Sequence, residues 1–423
     1  MKTLKGLRSI MGASIKTVVG LFFAAALSTA VAAGKLPYSY FFVGEPAKTP
    51  VIASSDRATT PSYVLMGGGP DVDQAFQWLI QRAGIKPGTG GRFVIIRASG
   101  TEAYNPYIYY SDANGGTSTL PPVNQDGWVG GGYLGLSSVE TLVIPSVKAA
   151  NDPTVNQIVA RADVVFIAGG DQSDYIKYWK NTQLDWTLQS LMNKKVPIGG
   201  TSAGLAVLGQ FDFAALRGTV TSDQALSNPF NKYMSLDPTP QTLDPTSPTS
   251  IAGGFVTPSP LFNTILDAHL DERDRMGRLV TFVSRLIGPY YESGCSGGIL
   301  VPKVSQNLSA TPYGDIIARG IGVGVEAALL VSGDGGPRTP IVAKLVTNPT
   351  TTTKSAAYFV LPQNYPGQCV AGQALSGVTA TVVKVDKLNP AFNMSFWSGG
   401  YSPYTLTVTN GVMTVSGNGN SPY

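Results

Sequence analysis

Five residues, Gly200-Thr201-Ser202-Ala203-Gly204, fit the pattern G-x-S-x-G, in which a serine is lifted onto a tight strand-to-helix turn. The flanking glycines relieve crowding at the turn and leave the hydroxyl at the edge of a sheet. The context supports the motif, because Val196-Pro197-Ile198 enters it as an apolar strand and Leu205-Ala206-Val207-Leu208 leaves it as a helix. A serine nucleophile needs a base within hydrogen-bond reach, most often histidine. The sequence contains 1 histidine, His269, so a Ser–His mechanism has its base by elimination. Around it runs Asp267-Ala268-His269-Leu270-Asp271-Glu272-Arg273-Asp274-Arg275-Met276-Gly277-Arg278-Leu279. Arginine forks bind carboxylates in bidentate fashion, so Arg273, Arg275 and Arg278 could dock an acidic group. The competing reading is a solvated charged segment in which they pair with Asp271, Glu272 and Asp274.

The elements around these residues alternate between strand and helix. Ser62–Met66 reads as a strand running into Gly67-Gly68-Gly69, and Asp71 can cap a helix carrying Phe76, Leu79, Ile80 and Ala83 at helical spacing. Arg92–Arg97, Glu140–Ile144 and Asp163–Ile167 read as further buried strands, the last breaking at Gly169-Gly170. Residues 33–60 read as an irregular lead-in. A Gly/Tyr/Asn-rich insert over about 100–138 is of a length that is usually functional or flexible. Strands apolar on both faces, separated by amphipathic helices, predict an α/β sandwich of three layers with a mostly parallel sheet. Ligands bind such sheets beyond the carboxyl ends of the strands, where all three Gly-rich loops fall. Residues 237–260 read as an exposed loop. Period-two segments such as Val378–Val383 and Tyr404–Val408 predict a β-rich C-terminal extension.

Composition narrows the setting. Hydrophobic residues make up 43% and charged residues 13%, enough for a core and too few charges for a nucleic-acid-binding stripe. Lys2, Lys5, Arg8 and Lys16, an apolar run over Val18–Leu27 and the small residues Ser28–Ala32 form a secretory signal pattern. Removing it takes four of the 30 bases, leaving as many as the 26 acids, so the mature chain is near neutral. No membrane span is expected after cleavage. The expected address is secreted or extracellular, with the periplasm as an alternative. Cys295 and Cys369 are a candidate disulfide in an oxidising compartment or two buried thiols, and are too few for a Cys-ligated metal site. The expected division is a signal peptide over 1–32, a lead-in over 33–60, a catalytic α/β domain over 61–335 and the extension over 336–423.

Gly199–Gly204, Gly169-Gly170-Asp171-Gln172 and the Asp-x-His…Arg-x-Arg-x-x-Arg run resemble three motifs of cyanophycinases at similar spacing. These are serine peptidases related to dipeptidase E, with a glutaminase-like α/β sandwich. The resemblance covers roughly residues 60–335 and is nearest to the secreted bacterial branch. It implies hydrolysis of cyanophycin, a poly-aspartate with arginine on each β-carboxyl, to β-Asp-Arg dipeptides, with no metal or organic cofactor. Carried over by position, Ser202 attacks the scissile carbonyl and His269 is the base. The Gly170 and Ala203 amides form the oxyanion hole, and Gln172, Asp267, Arg273, Arg275 and Arg278 match the substrate pocket. Two positions depart from the pattern. Ala268 stands where the family often has Gln. In Gly320-Ile321-Gly322-Val323-Gly324-Val325-Glu326, a gapless match puts Val325 where the triad acid is expected. Glu326 is the first choice for that acid, with Asp223 and Asp267 as alternatives.

Other functions consistent with the residues are a secreted dipeptidase-E-like peptidase for Asp-containing peptides and a non-catalytic binding protein on the same fold. A second copy of the chain is a candidate partner. Cysteine-dependent amidotransfer is disfavoured, since neither cysteine lies in an elbow. The expected acid limb of activity follows His269, at an ordinary pKa of about 6.5 unless the site shifts it.

Overall fold

The computed structural model describes residues 35–114, 118–123, 127–238, 254–289, 293–303, 316–352 and 354–423. The signal pattern and most of the 237–260 loop lie outside them. In chain order the first strands are β1 (Ser39–Gly44), β2 (Ser62–Met66), β3 (Gly91–Arg97), β4 (Leu136–Val143), β5 (Val164–Ile167) and β6 (Ile198–Thr201). Interleaved with them are helices α1 (Asp73–Arg82), α2 (Tyr104–Tyr109), α3 (Gly131–Leu134), α4 (Val147–Ala150), α5 (Pro153–Ala160), α6 (Gln172–Trp179) and α7 (Gln183–Asn193). Helix α8 (Ala203–Ala206), the short pair β7 (Asp212–Phe213) and β8 (Leu236–Asp237), and α9 (Ser222–Ser227) follow. Strand β9 (Thr264–Ala268) and α10 (Met276–Leu286) come next. The last strands are β10 (Arg319–Val323), β11 (Ala328–Ser332), β12 (Val342–Val346), β13 (Ala356–Pro362), β14 (Val378–Asp386), β15 (Ala391–Asn393), β16 (Ser398–Gly399), β17 (Tyr404–Thr409) and β18 (Val412–Ser416).

Two large sheets result. One has the order β1-β4-β3-β5-β6-β2-β11-β12-β15-β16, and the other β18-β17-β14-β13-β10-β9. The middle of the first, from β4 through β3, β5 and β6 to β2, is parallel. Its outer strands pair antiparallel. Alternation along the parallel strands assigns the two faces. Val64 and Met66, Phe93 and Ile95, and Val164 and Phe166 pack with Phe76 and Leu79 of α1. Leu65, Val94, Ile96, Val165 and Ile167 pack with Val155 of α5, Trp179 of α6 and Leu188 of α7. Both faces of these strands therefore pack against a helical layer, which is why they read as continuous apolar runs. The fold is α/β as expected, with a β-rich second sheet.

Caps set the helix starts. Asp152 accepts from the Thr154 and Val155 amides ahead of Pro153 in α5, and Asp171 accepts from the Ser173 amide at the head of α6. At α1 the expectation fails: Val72 is the capping residue and no side chain caps it. The Asp71 carboxylate is turned elsewhere.

The lead-in is also more ordered than its composition suggested. Strand β1 pairs antiparallel with β4. The Tyr40 hydroxyl donates to Glu140 Oε2 at 2.6 Å, and Arg161 holds the same oxygen at 2.5 Å. Glu140 is fully buried, so these partners are what make its position tolerable. The C-terminal strands enter both sheets: β12 extends the first beyond β11, while β13 pairs with β10. Residues Pro37–Tyr423 form one compact unit. Cys295 and Cys369 are joined in a disulfide that closes a 74-residue separation, inside an apolar cluster shared by α10, β13, β14 and β17.

Candidate active site

Four chain segments converge at the carboxyl edge of the parallel strands. Strand β2 ends in Gly67–Gly69, β5 in Gly169-Gly170, and β6 in Ser202. Strand β9, from the other sheet, ends at His269. Backbone bonds join these ends: the Ser202 amide donates to Met66 O at 3.0 Å and the His269 amide to Gly67 O at 2.9 Å.

Ser202 sits between β6 and α8 with φ 53 and ψ −113, a conformation that L-residues rarely adopt. Glycine is required beside it for contact reasons, since a Cβ on Gly204 would stand 2.0 Å from the Ile167 carbonyl oxygen. The turn therefore passes against β5 only if that side chain is missing. Ser202 Oγ lies 2.9 Å from His269 Nε2. The imidazole is itself held at φ 51, and a Cβ on Gly68 would come within 2.4 Å of its Cε1 and Nε2. Gly68 thus forms a wall against the ring that no larger residue could make.

The third partner is Glu272. Its Oε2 is 3.1 Å from His269 Nδ1, three residues along the same turn. The acid candidates proposed from sequence stand elsewhere. Glu326 follows β10 at φ 56 and gives its amide proton to Gly68 O, so its backbone borders the site while Glu272 occupies the Nδ1 side. Asp223 lies in the first turn of α9. Asp267 is taken by arginine, as described next. Burial pushes the His269 pKa below its ordinary 6.5; the Glu272 bond opposes this, and Arg273 and Arg275 reinforce it.

The expected carboxylate dock divides. Arg278 is 2% exposed and grips Asp267 through Nε at 2.7 Å and Nη2 at 2.6 Å. Its remaining nitrogen donates to Thr219 Oγ1 and Val220 O, and its guanidinium lies over the Phe213 and Phe282 rings. Arg275 donates to Ala268 O at 2.8 Å and approaches Asp267 at 3.7 Å; burial lowers its pKa to about 10, leaving it charged at neutral pH. Arg278 and Asp267 are therefore a buried brace beneath the base with Arg275 half-buried beside them, and none of the three lines the cleft over Ser202. The pairing with Asp271, Glu272 and Asp274 is not formed by these two either. Arg273 is exposed and lines the cleft. Gln172 heads α6 and donates to Phe213 O at 3.2 Å.

The Gly169-Gly170 loop borders the nucleophile, since a Cβ on Gly169 would lie in ordinary contact with Ser202 Cβ at 3.5 Å. Ala203 is the first residue of α8, where an amide has no partner within the helix. Ala203 thus follows the nucleophile directly, and Gly170 follows Gly169 in the bordering loop.

A cleft of about 360 Å³ opens over the pair, lined by Gly68, Asp71, Arg97, Tyr104, Thr201 and Arg273 among others. Arg97 ends β3 and donates to Ser99 O and Thr101 O; among the described residues no carboxylate pairs with it or with Arg273. Tyr104 comes from the long insert, and its hydroxyl donates to Asp71 Oδ2 at 2.8 Å. Arg97, Asp71, Tyr104 and Glu272 were absent from the sequence-derived set. A charge terminating an apolar strand at the ligand-binding edge was the available signal for Arg97.

Residues 133–246 match the model of peptidase family S51, a stretch that contains Ser202 and stops short of His269. No curated protein matches the sequence. Among solved structures, a peptidase from an acI-B1 Actinobacterium is similar at 16% identity, covering 69% of this chain and 90% of that one, with a TM-score of 0.36. With the hydroxyl on the turn that the family S51 match covers paired to the His269 imidazole beyond it, this chain is a serine-type peptidase.

Proposed function

We propose that the protein is an exported peptidase that cleaves cyanophycin to β-Asp-Arg dipeptides through an acyl-enzyme on Ser202. The observation that carries this reading is the 2.9 Å contact between Ser202 Oγ and His269 Nε2, in a cleft that also holds the Asp71 carboxylate and two arginines with no carboxylate partner among the described residues. His269 takes the hydroxyl proton as Oγ attacks the carbonyl carbon, and later delivers it to the leaving amine. Glu272 orients the ring and favours the imidazolium. The amides of Ala203 and Gly170 receive the negative oxygen, where one lost donor costs about 3 kcal/mol. Water then enters with His269 as base again and frees the carboxylate.

Arg97 and Arg273 suit the free α-carboxylates of cyanophycin, carried by its arginines and by its C-terminus, and the cleft needs no metal for this chemistry. The basic segment and the apolar run that follows it before residue 33 support export, and an insoluble external polymer has to be cut before uptake. A less selective peptidase for Asp-containing peptides is favoured by Ala268, a buried strand residue with no side-chain hydrogen bond to offer. Purified mature protein incubated with insoluble cyanophycin, beside a panel of α- and β-linked Asp peptides, separates the two. Release of β-Asp-Arg that Ser202→Ala abolishes supports the proposal; cleavage of the peptides alone supports the broader peptidase. No labelling of Ser202 by a fluorophosphonate would return the chain to a binding role.

A further inference from the structure

Asp71 has work that the Ser–His chemistry does not use. Its Oδ2 accepts from Tyr104, while its Oδ1 is buried with no hydrogen-bond partner. Thr201, 5% exposed and adjacent to the nucleophile, likewise has a buried Oγ1 without a partner. Both residues line the cleft over Ser202. The Thr201 hydroxyl lies close enough to Asp71 to steady the carboxylate, yet neither atom makes a full hydrogen bond, and a buried carboxylate oxygen left so is expensive to keep unless something else satisfies it.

Asp71 and Tyr104 also line an adjoining cavity of about 510 Å³, with Asp73, Tyr107 and Asn348. Among the described residues no Lys, Arg or His lines it. Asp73 sits beside Asp71 and is held by the Tyr107 hydroxyl and by the Gly127 amide. Asn348 grips this turn from the far part of the chain, donating to Asp71 O at 2.7 Å and accepting from the Asp73 amide at 3.0 Å. The backbone of this turn is therefore fixed, and the Tyr104 hydroxyl holds the Asp71 carboxylate that it carries. Two acids and two phenol rings, with no base, make a wall of negative potential that suits a cation with an apolar stem.

We propose that Asp71 is a specificity-determining residue of this peptidase, its Oδ1 together with Thr201 Oγ1 receiving a cationic group of the substrate whose stem lies along Tyr104 and Tyr107. A neutral donor would satisfy the hydrogen bond and leave the charge unbalanced, which is why a cation is preferred. This deepens the peptidase reading and rests on the cleft over Ser202 being the substrate site. Two groups share the required chemistry: a guanidinium on a side chain, or the α-ammonium of the peptide.

The test measures binding by calorimetry to the full chain carrying Ser202→Ala, so that turnover plays no part. The probes are β-Asp-Arg, β-Asp-citrulline, which lacks the guanidinium charge, and Nα-acetyl-β-Asp-Arg, which lacks the ammonium charge. One of the neutral analogues is expected to bind at least about tenfold more weakly than the parent, which identifies the group, and Asp71→Asn is expected to erase that difference. Equal binding of all three, no binding of the parent, or a penalty that survives Asp71→Asn overturns the assignment. If Asp71→Asn does not fold, a crystal of the Ser202→Ala protein with β-Asp-Arg decides: a cation within hydrogen-bond distance of Asp71 Oδ1 supports it, and one elsewhere sinks it. Failure to cleave cyanophycin, with the Asp71-dependent penalty intact, would remove the proposed substrate and leave the cation subsite standing.

Discussion

Glu272 and His269 lie three residues apart on one turn, with the carboxylate 3.1 Å from Nδ1 while Nε2 faces the nucleophile. Base and orienting acid therefore arrive together at the end of β9, without a second strand to supply the acid. The Glu272 side chain is 52% exposed, so water competes for it. Glu272→Gln is expected to lower kcat by roughly 10- to 100-fold, short of the roughly 10⁴-fold seen for a buried triad acid. Glu326→Gln should leave kcat within about threefold. Steady-state kinetics on the two variants check this, and a reversed order would reassign the acid.

The pH profile has a definite sign. Catalysis needs the neutral imidazole, so activity is full above the His269 pKa and lost as pH falls through it. Burial, reinforced by Arg273 and Arg275, sets that pKa below 6.5 against the opposing Glu272 bond. The acid limb of kcat/KM is expected below pH 6.5, and Glu272→Gln should move it lower still. Asp71 titrates nearby, because burial pushes it up to about 6 against the Tyr104 and Thr201 hydroxyls. A substrate without a cation keeps the limb a report on His269; a midpoint above 6.5 with that substrate contradicts the assignment.

Asp267 and Arg278 are 3% and 2% exposed, and each is the other's charge partner. Breaking such a pair leaves one buried charge unbalanced, at a cost of about 3–5 kcal/mol. Asp267→Asn is expected to lower stability by that order in urea unfolding, with kcat changed only as far as the His269 turn loosens. A variant of unchanged stability that had lost substrate affinity would restore Asp267 to the substrate pocket.

The disulfide makes a separate forecast. Closing a 74-residue separation removes unfolded-state freedom worth about 4 kcal/mol on the chain-entropy account. Reduction should therefore shift the denaturation midpoint strongly while leaving Ser202 reactive toward a fluorophosphonate in whatever fraction remains folded. An unchanged midpoint after complete reduction would contradict this.

The proximity of Ser202 to His269 was legible in sequence because the glycines around a strand-to-helix turn have a steric cause, and because one imidazole leaves no choice. The parallel centre of the sheet was legible for a similar reason: strands buried on both faces cannot alternate. Glu272 was hidden, since one exposed acid in a run of five charges looks like its neighbours. The role of Arg278 was hidden because an arginine's spelling does not report whether its fork meets solvent or a buried Asp267. Asp71 read as a cap by position, yet the helix begins without it and the carboxylate turns to Tyr104, 33 residues away. Strand β1 was missed because its order comes from Glu140 across the sheet, a contact that no local pattern encodes.

The positive φ at Ser202 has an evolutionary corollary. Holding an L-residue at φ 53 and ψ −113 costs of order 1–3 kcal/mol, and glycine there is relieved of most of it. Ser202→Gly should accordingly melt at a higher temperature than the parent and hydrolyse nothing. Selection for heat tolerance alone would drift toward this inert form, so the serine's persistence in any descendant lineage would be a record of demand for its chemistry.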